Sequence, residues 1–68
     1  MEIVYRALDL FRFVQGEIQV GMALGHFGRY LVTGDEIYLR LAGQELEEAD
    51  RNGVSTEYAR DFISRYQL

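Results

Sequence analysis

The sequence predicts an all-α domain, a compact bundle of three to four short helices over approximately 2–15, 18–32, 34–52 and 55–67. Three observations carry that expectation. Apolar residues recur at three- and four-residue spacing near both ends of the chain, as one face of a helix requires. Thr33 and Glu36 have the spacing of a helix capping box. Six of the seven arginines have an acid three or four residues N-terminal to them, the orientation that stabilises a helix. Positions four apart in a strand lie about 13 Å from one another, too far for such pairs.

The first element rests on Ile3, Ala7, Leu8, Phe11 and Val14, with Val4, Tyr5, Leu10 and Phe13 widening the apolar face. A helix so broadly apolar is expected to be buried on two sides. Gly16 reads as its C-terminal stop. The second segment holds Gly21, Gly25 and Gly28 and has two readings. As a helix, Val20, Leu24, Phe27 and Leu31 form a stripe, and three interior glycines cost roughly 2–3 kcal/mol relative to alanine. That cost requires a neighbour packed closely on them, from this chain or a second copy. As strands, Ile18, Val20, Met22 and Leu24 alternate with smaller or polar residues, giving an α+β alternative with strands between 17 and 41. The helical reading is preferred, because an isolated hairpin is marginal.

In the third element Thr33 is the expected N-cap, with Val32 and Ile37 as a hydrophobic staple and Asn52-Gly53 as the stop. Ser55 is the expected N-cap of the last helix, where Tyr58, Phe62 and Tyr66 line one edge beside Ala59 and Ile63.

Sixty-eight residues make a single domain, 1–68, with a core too small to be comfortable alone. There is no cysteine to form disulfides or thiolate metal sites, and one histidine makes a poor ligand set. Self-association, most simply a homodimer, is the expected remedy. Gly21, Gly25, Gly28, Tyr58, Phe62 and Tyr66 are its candidate contacts. The net charge of −4 and the absence of lysine argue against a nucleic-acid partner, whose phosphates must be neutralised. The apolar run Ile18–Val32 contains Gln19, His26 and Arg29 and falls short of the ~20 apolar residues of a bilayer span. The N-terminus has no signal-peptide pattern, so a cytoplasmic location is expected.

Ala49, Gly53, Val54, Ser55 and Phe62 have the spacing of the middle of a bacterial helix-turn-helix, and residues 45–66 resemble that family. Glu48 and Asn52 stand where the family is usually apolar, and Ala59 stands where a branched aliphatic is usual. The resemblance implies DNA binding, with Thr56, Glu57, Arg60 and Arg65 facing the groove. The alternative is a glycine turn between two packed helices.

Catalysis finds no support. The hydroxyls of Thr33 and Ser55 are explained as caps, and no lysine exists for a phosphate loop. Neither an enzyme nor a cofactor is expected. Glu45 and Glu48 lack a base four residues on and suggest an acidic docking face for a basic partner. Arg29 is the arginine without a local acid, and His26 shares its helical face. The expected function is binding of another protein, as adaptors and the inhibitors of phages and mobile elements do. A helix-turn-helix regulator is the alternative, and a structural assembly subunit using the aromatic edge is a third possibility.

Overall fold

A computed structural model describes residues 2–67, with the side chains of Glu2, Ile3 and Tyr5 outside the described set. Most of the described residues are helical. Three helices follow one another, α1 (Glu2–Thr33), α2 (Ile37–Arg51) and α3 (Glu57–Tyr66), and no strand occurs among the described residues. The strand alternative for 17–41 is thereby set aside, including the alternating segment Ile37–Leu41, which opens α2.

The expected break at Gly16 does not occur. Residues 2–15 and 18–32 belong to one helix of 32 residues. A Cβ at Gly16 would overlap Val54 Cγ2 and meet Asn52 Cβ at 3.2 Å. Glycine is therefore there to let the turn after α2 approach the α1 backbone, and the helix continues through it. Asn52 Nδ2 donates to Gln19 Oε1 at 2.8 Å one turn further on, tying the same turn to α1.

Thr33 ends α1 rather than starting α2. Its hydroxyl donates to the Arg29 carbonyl at 2.8 Å and accepts from Asp35 N–H at 3.2 Å. Gly34, at φ 73°, takes the left-handed position that closes a helix. The capping carboxylate is Asp35, whose Oδ1 accepts from Ile37 N–H at 3.1 Å. Val32 is 87% exposed and closes no staple.

α2 ends in a Schellman motif. Val54 N–H donates to the Ala49 carbonyl at 3.1 Å and Gly53 N–H to the Asp50 carbonyl at 3.0 Å, with Gly53 at φ 81°. An L-residue in that conformation costs roughly 1–2 kcal/mol. Gly53→Ala is accordingly expected to lower stability by about 1 kcal/mol in urea unfolding without changing the helical circular dichroism.

α1 and α2, joined by three residues, pack along each other, while α3 touches α1 far less. Ala23 of α1, Ala42 and Leu46 of α2 and Ala59 of α3 pack as one buried cluster, and Phe27, Tyr30, Ala49 and Val54 are buried as well. Phe27 is the one large side chain among them that is fully buried. It stacks on Tyr30 with ring centroids 5.8 Å apart and meets Phe62 of α3 edge-on at 6.1 Å.

The lengths decide what the core leaves bare. α1 runs about 48 Å at 1.5 Å per residue, whereas the 15 residues of α2 reach only about 22 Å. α2 and its turn cover α1 from Gly16 to Tyr30 and no further. The molecule accordingly measures 48 × 17 × 12 Å, with a radius of gyration of 13.7 Å against about 11 Å for a globular domain of this length.

Candidate interaction surface

The described side chains of residues 4–15 are all exposed, so the expected burial of this half on two sides is corrected. Val4, Leu8, Leu10, Phe11, Phe13 and Val14 are each about half exposed or more, Phe11 reaching 62%. The cause is the short α2, whose closing turn reaches only as far as Phe13 among the described residues.

The exposed positions are also ordered. At about 100° per residue, Val4, Ala7, Phe11, Val14, Ile18, Gly21, Gly25, Gly28 and Val32 fall on the side of α1 opposite Ala23 and Tyr30. Their spacing alternates between three and four residues along the whole helix, the a/d pattern of a coiled coil. All nine are exposed. The sizes change along the stripe, from Phe11, Val14 and Ile18 to three glycines. No atom of a neighbouring element lies within 4 Å of where a Cβ would stand at Gly21, Gly25 or Gly28. The close neighbour expected for those glycines is therefore not found among the described residues.

Of the other expected contacts, Phe62 is 39% exposed and packs on Phe27 and, with centroids 4.9 Å apart, on Tyr66. Tyr58 stands apart, largely in solvent. The aromatic edge is thus divided between the core and the surface. His26 and Arg29 share a shallow depression with Met22 and Gly25, and no acid pairs with the Arg29 side chain among the described residues. Glu45 is half-buried, and Glu48 is ion-paired to Arg51, so one carboxylate of the expected acidic pair is neutralised internally.

The turn between α2 and α3 carries a polar cluster absent from the sequence reading. Thr56 Oγ1 donates to Asp50 Oδ1 at 2.7 Å, Arg60 Nε donates to Thr56 Oγ1 at 2.9 Å, and Arg60 Nη2 reaches Asp50 Oδ2 at 2.8 Å. These three side chains lock α3 onto the end of α2. The Thr56 hydroxyl, then the Arg60 guanidinium, hold the Asp50 carboxyl below its ordinary value of 3.8. A carboxyl whose folded pKa is depressed stabilises the fold above its unfolded pKa, and that stability is lost as pH falls through the folded one. Asp50→Asn is expected to melt below the wild type at pH 7, with the gap closing below about pH 4 in a pH series of thermal unfolding curves.

Around this turn the backbone follows the helix-turn-helix resemblance in part. Ala49, Val54 and Ala59 are buried, and Gly53 makes the left-handed turn. Three of the four side chains implied to read DNA are otherwise engaged. Thr56 is buried, Arg60 is bound to Asp50, and Arg65 is paired with Asp61 at 3.0 Å. Between 45 and 66 there are six acids and three arginines.

Among the described residues no three histidine or acidic side chains gather as metal ligands, and no helix is long and apolar enough to cross a membrane. The fold and surface define a three-helix protein whose longest helix offers a largely unused apolar face. No protein-family model matches the chain, and neither a curated protein nor a solved structure does.

Proposed function

We propose that this is a small acidic interaction protein that acts by binding another protein, with α1 as its principal contact surface. The carrying observation is the run of exposed apolar side chains from Val4 to Val14. Contiguous apolar surface of that extent marks interaction sites on soluble proteins. Phe13 lies where this surface meets the turn after α2, beside Asp9, Arg12 and Arg51. Such a mixture of an aromatic anchor and charged neighbours suits a protein interface. The surplus of carboxylates on α2 and α3 favours a basic partner, and the setting proposed is the cytoplasm.

The test is affinity capture from native lysate with the wild-type chain and with Phe13→Asp, a substitution at a half-exposed position. The expected result is a stoichiometric protein captured by the wild type and lost with Phe13→Asp at unchanged helicity. Equal capture by both, or none by either, overturns the assignment.

The turn geometry at Ala49, Gly53, Val54 and Ala59 favours a helix-turn-helix regulator as the second reading. Its cations are already paired within the chain, which places it second. Gel shifts on genomic fragments at low salt decide it, since retardation at nanomolar to micromolar protein supports the regulator and uniform absence removes it.

A further inference from the structure

We infer that the outward stripe of α1 is covered by a second copy of this chain, running antiparallel along it. The inference rests on α1 being a binding surface and names the occupant of its outward face. Three observations support a twin rather than an unrelated partner.

The first is area. The chain exposes 5180 Å², about 800 Å² more than the ~4400 Å² expected of a folded monomer of its 7.9 kDa mass. A standard interface removes about 800 Å² from each partner. The excess surface of one chain is therefore what one stable dimer contact would bury.

The second is that the stripe is complementary to itself in only one direction. Its large residues, Phe11, Val14 and Ile18, precede its glycines, Gly21, Gly25 and Gly28. A parallel pair would set glycine on glycine and leave gaps. An antiparallel pair about a two-fold axis puts every glycine opposite a large side chain of the other copy. In the coiled-coil register that does this, Ile18 faces the other copy's Gly21, Val14 its Gly25, and Phe11 its Gly28. Ala7 then faces Val32.

The third concerns the flanks. In that register Leu10 lies beside Leu31 of the other copy, Gln15 beside Met22, and Leu8 beside the aliphatic stem of Arg29. Leu8, Leu10, Met22 and Leu31 are all exposed in the single chain. Shifting one heptad the other way would bring Glu17 against its own symmetry mate at the two-fold axis, and like charges there are unfavourable. The pairing also accounts for three glycines inside a helix with no described residue of another element against them.

The chain has no cysteine, so engineered thiols report the geometry directly. Light scattering of the wild type at 100 µM and above is expected to give twice the 7.9 kDa chain mass. Mixing Val14→Cys with Gly25→Cys chains and oxidising is expected to give the covalent heterodimer. Val14→Cys alone is expected not to self-link, because its two copies would stand about 16 Å apart along the axis, beyond the ~7 Å reach of a disulfide. Gly25→Leu is expected to shift the mass to that of one chain while keeping its helicity, since no other element lies against that position. A monomer at all concentrations, or self-linking of Val14→Cys in preference to the mixed pair, overturns the inference. Neither result touches capture of a partner at Phe13, which has its own test.

Discussion

Phe27→Ala is expected to remove about 3–5 kcal/mol, a large share of the stability of the fold. A 68-residue domain has roughly 3–10 kcal/mol of stability to lose. Removing a fully buried phenylalanine ring costs about 3–5 kcal/mol, through lost transfer energy and the cavity left behind. The rest of the core offers no compensation. It is built largely of Ala23, Ala42, Ala49 and Ala59, side chains too short to collapse into the space. The same ring joins α1 to α3 through its edge-on contact with Phe62. Its loss should therefore release α3 along with the core. Circular dichroism and urea unfolding check this. Phe13→Ala, at a side chain 50% exposed, is the control and should move stability by only about 0.5 kcal/mol. Comparable losses at Phe13 and Phe27 would mean that the core has been wrongly placed.

The contrast between these two phenylalanines shows what the sequence could and could not disclose. Spacing of apolar residues identified the helices, and it did so because every periodic segment is in fact helical. Periodicity does not say which periodic face has a neighbour. Both Phe11 and Phe27 sit on apolar stripes, but only the stripe through Phe27 lies within the reach of a 15-residue α2. The heptad from Val4 to Val32 was hidden for a related reason. Reading Gly16 as a stop cut α1 in two and removed the continuity on which a seven-residue repeat depends. The acid–base spacing predicted helix correctly although several of its pairs do not close among the described side chains. Asp61–Arg65 forms, but Arg51 turns to Glu48 rather than Glu47, and Arg60 to Asp50 rather than Glu57. The Asp50–Thr56–Arg60 cluster was not legible, because it spans a turn whose path is set by the left-handed Gly53. Thr33 illustrates the limit of a local motif. Its hydroxyl suits an N-cap, but Gly34 beside it ends α1 first, so the cap passes to Asp35.

Gly16→Leu is expected to lower stability by about 3 kcal/mol, at the upper end of overpacking costs. The position sits mid-helix, where propensity alone would make leucine better than glycine by nearly 1 kcal/mol. Geometry reverses the sign. The first carbon added already overlaps Val54 Cγ2, and Val54 is β-branched and buried, with few rotamers to escape into. The backbone that would have to move instead belongs to the Schellman turn, whose hydrogen bonds from Gly53 and Val54 end α2. Displacing that turn also strains the Asn52–Gln19 hydrogen bond and, six residues beyond Asp50, the Thr56 anchor of α3. Gly16→Ala should show the same sign at about 1 kcal/mol, a net of steric cost over helix propensity. Gly43→Ala supplies the opposite case. It lies within α2 with nothing within 4 Å of its absent Cβ, and is expected to gain about 1 kcal/mol from propensity alone. Chemical denaturation of the three variants under one set of conditions measures both effects. Stabilisation by Gly16→Ala of the size seen for Gly43→Ala would show that the turn does not lie against α1 at that point. The long helix would then lose the contact that fixes where its covered half ends and its exposed half begins.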